Sequence, residues 1–244
     1  MNKYIISGLS GNIGSLIKNE FSNVTEYSKH LNIENQNIFI HLASKSTGSY
    51  KNILKSNITY LSEVIEFCNK NNIKKFVFFS AISINTSEDL YSTSKLLGEK
   101  ILKESGLDVL IIRLPMVLTR DIKNGILNRI IQKLEKNEDI TLYNGDRKFN
   151  NFISIYDIYS FIINYHFKKK YEIIGLASSK ENTLSEFVEL MKNKLNSKSK
   201  IICSKKRHDF FNVSIKRAKN KYNYNPSKNE KILSNWIKIR NKGK

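Results

Sequence analysis

The chain has 244 residues, is 40% hydrophobic and carries a formal net charge of +19. That length supports a sizeable core, in one large domain or a domain with a lobe, and the plentiful aromatics argue against wholesale disorder. No apolar run reaches the roughly 18 residues of a membrane span, and the chain enters a strand-like YIISG without a leader pattern, so the expectation is a cytoplasmic protein with no membrane partner.

Residues 3–7, KYIIS, read as a short buried strand. GLSGNIG follows and sets Gly8, Gly11 and Gly14 between that strand and the helical spacing of SLIKNEF. In a strand–turn–helix unit, Gly8 allows the tight turn, Gly11 lets the backbone approach a diphosphate, and Gly14 lets the helix pack on the strand. NVTEYS at 23–28 is the second strand. The end of that strand selects the cofactor: an acidic residue holds a ribose 2′-hydroxyl, a basic one accommodates a 2′-phosphate. Ser28 and Lys29 suit the phosphate and Glu26 falls within the strand, so the reading is NADP or NAD with a lean to NADP.

NIFIHLAS at 37–44 is nearly all apolar, as a central parallel strand should be. Residues 52–69 place Ile53, Leu54, Ile58, Leu61, Val64, Ile65 and Cys68 on one helix face. Cys68 and Cys203 form neither a metal spacing nor a disulfide framework, so both are expected as buried, reduced thiols and no metal is expected. KFVFFS at 75–80 is the next strand, 87–104 a helix starting near Ser87 and ending at Gly106, and LDVLIIRLP at 107–115 a further strand. On the helix, Tyr91 and Lys95 are four apart and share a face.

Alternating strands and helices with short connections argue for an α/β fold, a parallel sheet covered by helices on both faces. Beyond about residue 120 the pattern loosens. It gives a helix at 122–136, DITLYNG, FNNFISIYDIYSFIINYH, a strand EIIGLAS, and helices at 183–195 and 227–240. Residues 1–118 are therefore expected to be mainly dinucleotide-binding, and 119–244 mainly a smaller lobe interleaved with the sheet in one unit. The basic residues are spread along the chain, with only KKK at 168–170 and KKR at 205–207 clustered. A nucleic-acid site would more often show a basic stripe with interleaved aromatics, so no nucleic-acid partner is expected. A basic field does favour an anionic small substrate.

With the glycine loop, NIFIHLAS and YSTSK in this order, the chain resembles the extended short-chain dehydrogenase/reductases. More narrowly it is similar to the NAD-dependent epimerase/dehydratase family that modifies nucleotide sugars. Asn57, IIRLP at 111–115, NNFISIYDI at 150–158 and FNVSIKRAKNKYNYNP at 211–226 extend the likeness over almost the whole chain. The resemblance implies a Rossmann-type doubly wound parallel sheet with a small C-terminal α/β substrate lobe. It implies that Ser10, Asn12 and Ile13 beside the loop glycines, Leu42, Ala43 and Ser44, Asn57, Tyr91, Lys95 and Pro115 contact the dinucleotide. It implies a nucleotide-sugar substrate, and a homodimer is the family expectation.

Tyr91 and Lys95 match the family's catalytic Tyr-x-x-x-Lys. A free phenol titrates near 10, and a nearby ammonium and the positive nicotinamide favour phenolate. Tyr91 then exchanges a proton with the substrate oxygen as hydride moves between carbon and nicotinamide. The family also expects a hydroxyl at position 81, where this chain has Ala81. If the strand continues, Ser83 points to the same side and replaces it; if the strand has ended, Ser80 is the candidate. Ser83 is preferred. Ile82 and Ser83 stand where a dehydratase of this family carries an acidic pair, which disfavours dehydration. Met116 stands where the family often has an Asn. The expected activity is NAD(P)-dependent reduction of a 4-keto nucleotide sugar, as in surface-polysaccharide precursor synthesis. The alternatives are a 4-epimerase holding NAD and a non-catalytic dinucleotide-binding protein.

Overall fold

The computed structural model describes residues 2–18, 20–31, 38–122 and 125–241. Its centre is a parallel sheet of β1 (Tyr4–Ser7), β2 (Val24–Glu26), β3 (Ile38–His41), β4 (Lys75–Ala81), β5 (Asp108–Leu114) and β9 (Tyr171–Gly175), in the order β2-β1-β3-β4-β5-β9. The order reverses between β1 and β3, the switch point where open α/β sheets bind ligands at the strands' carboxyl ends. β2 is the last described strand on its side. The expected strand residue Asn37 and helix residues Lys123 and Asn124 lie outside the described residues.

The strands are apolar at nearly every position because both faces are covered. Ile6, Ile40, Val77, Phe79, Leu110 and Ile112 face one core, shared with α1 (Gly14–Ile17), α6 (Ile155–Ile163) and α8 (Lys216–Tyr222). Ile5, Phe39, Phe76, Phe78, Val109 and Ile111 face the other, covered by Leu61, Val64 and Ile65 of α3 (Tyr60–Lys70) and Leu102 of α4 (Leu90–Lys103). The period-2 alternation of side chains divides one run of apolar residues between two cores.

The long helix read at 52–69 starts earlier and is not uniform. It comprises α2 (Tyr50–Leu54), a π turn at Lys55–Thr59, and α3. The segment after β4 departs further. The strand ends at Ala81, paired with Leu114, and the next residue of the partner strand, Pro115, has no N–H to continue the ladder. A 3₁₀ turn, Ile82–Asn85, follows. Helix α4 begins at Leu90 rather than near Ser87, because Asp89 is the N-cap and its carboxylate accepts from the Ser92 N–H at 2.7 Å. Ser87 instead donates to Asp89, at 2.6 Å.

Past Pro115 the chain leaves the sheet. β6 (Met116–Val117) pairs with β8 (Phe152–Ile153), and β7 (Ile140–Leu142) with β10 (Ile201–Cys203). With α5 (Gly125–Lys136), α7 (Leu184–Lys194) and α9 (Asn229–Asn241) they enclose a separate core of Leu127, Phe149, Phe152, Phe187 and Trp236. Thr183 and Glu186 close a capping box on α7. Trp236 ties the lobe to the chain leaving the sheet, its indole N–H donating to the Thr119 carbonyl at 3.0 Å. β9 returns from the lobe region to the sheet edge, so the two halves interleave. Cys68 is buried and its thiol is pushed up by burial, whereas Cys203 is exposed, which corrects the expectation for it; both are free. No helix of the described residues is long and apolar enough to cross a membrane.

Candidate active site

At the carboxyl ends of β1, β3, β4 and β5 lies a cavity of about 300 Å³. Tyr91, Lys95, Ser44 and Ala81 line it together with Leu42, Pro115 and Ser80, and Asn12 and Ile13 of the glycine loop close one side. Met116, Thr119 and Asp121 also line it and were not read as site residues, although Met116 was noted as a departure from the family.

The glycine loop is built as the spacing requires. Gly8 has φ +83°, and a Cβ there would sit 2.7 Å from the Ala43 nitrogen, so only glycine lets the loop lie against the residues after β3. A Cβ on Gly14 would fall 2.1 Å from the Gly8 carbonyl oxygen. A Cβ on Gly11 would meet only that same oxygen, at 3.2 Å, and otherwise points into open space above the loop. Ser10 and Asn12 beside it are both exposed. Helix α1 is a single turn, shorter than the SLIKNEF pattern suggested. At the end of β2, Ser28 and Lys29 are exposed and Glu26 is the last strand residue. Lys29 pairs with Glu63 at 2.7 Å across the surface, an exposed pair that holds the ammonium only weakly.

Lys95 is 3% exposed. Its Nζ donates to the Phe79 carbonyl at 2.8 Å and lies 4.6 Å from the Phe78 ring centroid and 6.0 Å from that of Tyr91. Burial lowers its pKa to about 7, and the Glu99 carboxylate opposes the shift. Burial also raises the Tyr91 phenol above its usual value; the Ser44 hydroxyl acts in the opposite direction and Asp89 adds to the rise. At Tyr91 burial thus outweighs the neighbouring hydroxyl. His41, the last residue of β3, is buried and stacked on Phe76 and Phe78, with its Nδ1 2.8 Å from the Ser7 hydroxyl. Burial, then Lys95, lowers it to about 3, so it is neutral. A His inside the apolar run IFIHLA was the signal for this buried polar pair.

The two candidate serines are both engaged elsewhere. The Ser83 hydroxyl lies on the 3₁₀ turn, 2.7 Å from the Ser92 hydroxyl, and is not among the cavity-lining residues. The preference for Ser83 assumed extended backbone that ends at Ala81, and is corrected here. Ser80 lines the cavity, but its hydroxyl donates a hydrogen bond to the Glu99 carboxylate at 2.6 Å. Asn57 does not line the cavity. It accepts from the Lys45 N–H at 2.8 Å, donates to the Lys45 carbonyl at 2.9 Å and to Ser94 at 2.9 Å, so it fixes the connection after β3 to helix α4. Ser28 and Lys29 also lie outside this cavity's lining.

Two other cavities bear on the charge and the lobe. One of about 740 Å³ runs along α6 and past α8, with Lys168, Lys169 and Lys221 on its lining and no strand carboxyl end. The other, about 540 Å³, lies in the lobe between α5, β7 and the 208–211 segment, and is lined by Tyr143, Phe149, Phe210 and Phe211. Among the described residues no group of three or more His, Cys, Asp or Glu is placed to hold a metal.

The parallel sheet, the glycine loop at its switch point and the Tyr91–Lys95 pair on one cavity define a dinucleotide-binding protein of the Rossmann type. A sequence profile of the NAD dependent epimerase/dehydratase family matches residues 10–177, most of the chain, and the chain belongs to that family. A search of curated proteins finds no match. Similar solved structures include RMD from Pseudomonas aeruginosa complexed with NADPH (14% identity, TM-score 0.78, all of both chains covered). Another is UDP-glucuronic acid 4-epimerase from Bacillus cereus with NAD (15%, 0.76, 98% and 99% covered). A third is UDP-glucose 4-epimerase from Thermotoga maritima with UDP-glucose (17%, 0.74, 100% and 99% covered). At these identities the likeness establishes the fold.

Proposed function

We propose that the protein is an NAD(P)-dependent reductase of a 4-keto nucleotide sugar, with Tyr91 as general acid. The carrying observation is the shared cavity of Tyr91 and Lys95 beside the glycine loop. Gly8, Gly11 and Gly14 with Ser10, Asn12 and Ile13 hold the dinucleotide, Leu42, Ala43 and Pro115 flank its nicotinamide end, and Ser28 and Lys29 favour a 2′-phosphate. When bound, the reduced nicotinamide supplies hydride to the carbonyl carbon. Tyr91 donates its proton to the carbonyl oxygen, completing the alcohol. Lys95 is half-charged near pH 7, so it can hold a ribose hydroxyl and favour the phenolate that remains. The aromatic lobe cavity suits the nucleotide end of the substrate, and neighbours are solved with UDP-glucose or UDP-glucuronic acid. Ile82 and Ser83, in place of an acidic pair, weigh against dehydration.

The test is to incubate the protein with 4-keto sugars on different nucleotides and with NADPH or NADH. Stoichiometric cofactor oxidation and a new 4-hydroxyl are expected, faster with NADPH. Tyr91→Phe should lower kcat by about 100- to 10,000-fold and leave dinucleotide affinity nearly intact. NAD retained through purification, with interconversion of 4-hydroxy sugars and no net cofactor use, would favour a 4-epimerase instead. Dinucleotide binding with no turnover of any keto or hydroxy sugar would favour a non-catalytic protein.

A further inference from the structure

The cavity has a vacancy in its chemistry. A carbonyl undergoing reduction develops negative charge on oxygen, and a second fixed donor beside the acid stabilises it. Ala81 offers none, Ser80 gives its proton to Glu99, and Ser83 faces Ser92 outside the cavity.

We propose that Ser44 supplies this second hydroxyl, donating to the substrate oxygen alongside Tyr91; the inference rests on the reductase reading above. Three observations carry it. First, β3 ends at His41, opposite Phe78 of β4, and the chain runs on from that strand end to Ser44, which lines the same cavity as Ala81 at the end of β4. The hydroxyl missing from one strand end is thus offered from the neighbouring one. Second, Ser44 is exposed and lines the same cavity as Tyr91 and Lys95, close enough for its hydroxyl to favour the Tyr91 phenolate. Third, its position is fixed from behind. Asn57 grips both the N–H and the carbonyl of Lys45, the next residue, and reaches across to Ser94 on α4, the helix that carries Tyr91. The segments carrying Ser44 and Tyr91 are thus tied together by one buried side chain.

In the reaction, hydride adds to the carbonyl carbon as the C=O π pair moves to oxygen, and Tyr91 transfers its proton to that oxygen. Ser44 keeps its proton throughout and donates only a hydrogen bond.

The test combines loss, rescue and a readout without turnover. Ser44→Ala should lower kcat by roughly tenfold to a hundredfold, the range for one donor to a charged oxygen, with KM changed far less. Ser44→Thr should retain most activity. Ala81→Ser placed in the Ser44→Ala background should restore it, because the new hydroxyl enters the same cavity. In the free protein, carbon NMR of labelled tyrosine, with the Tyr91 resonance assigned by Tyr91→Phe, should show that phenol titrating at higher pH in Ser44→Ala. Full activity of Ser44→Ala while Tyr91→Phe is inactive would overturn the inference and leave the reductase reading standing. If no keto sugar is reduced at all, the reductase reading falls, and an unmoved Tyr91 titration in Ser44→Ala would separately remove Ser44 from the site.

Discussion

Lys95 and Glu99 are one helical turn apart on α4 and almost equally buried, at 3% and 2% exposed, yet their surroundings are opposite. Glu99 is fully partnered. Arg113 donates to it through Nε at 2.9 Å and Nη2 at 2.6 Å, and Ser80 adds a third donor at 2.6 Å. Lys95 has one carbonyl and the faces of two rings. A buried charge that serves the fold is satisfied from within. A buried charge that serves a ligand is left short, and its lowered pKa records the shortfall. One helix thus carries a fully partnered carboxylate and a sparsely partnered ammonium.

The comparison breaks most visibly at Glu99. Glu99→Ala leaves Arg113 facing a part-buried vacancy and should cost about 3–5 kcal/mol, the range for breaking a buried pair, as read from urea denaturation. The reverse is expected at Lys95: Lys95→Met should stabilise the free protein by about 1–4 kcal/mol at pH 7 while abolishing turnover. The same pair predicts a pH dependence. Lys95 titrates near 7 folded and at about 10.4 unfolded. Between those values the unfolded chain binds more protons, so this group makes stability climb as pH rises from 7 to 10. Thermal melts across that window should show the climb in the wild type and a flatter profile in Lys95→Met. Smallest is Ser83→Ala, which removes one neutral hydrogen bond to Ser92. It should cost about 1 kcal/mol, and turnover should change by less than threefold.

The features that were legible in the sequence are those with a period or a fixed spacing. Three glycines at Gly8, Gly11 and Gly14 mark a turn because a Cβ at Gly8 or Gly14 meets backbone, and Tyr91 and Lys95 share a face because helices repeat every 3.6 residues. The run IFIHLAS read as a central strand because both sheet faces are covered. What escaped was aperiodic. The 3₁₀ turn at Ile82–Asn85 and the π turn at Lys55–Thr59 are each about one turn long, too short to impose a pattern. The first redirected Ser83; the second lies under Asn57, whose partners were visible only in the fold. The choice between Ser80 and Ser83 depended on where a strand ends. That end is set across the sheet by Pro115, which local propensity around residue 81 does not report. The lobe strands are two or three residues long and pair over long separations, so β6, β7 and β10 had no local signature.

If this cavity carries hydride from a nicotinamide to a sugar carbonyl with Tyr91 supplying the proton, the product records the transfer when NADPH deuterated at the transferring carbon is used with a 4-keto nucleotide sugar and the product is analysed by mass and NMR. One deuterium at the sugar's C4 is expected with the wild-type protein and almost none with Tyr91→Phe in the same time. Product formed without deuterium at C4, or equal labelling by Tyr91→Phe, would contradict it.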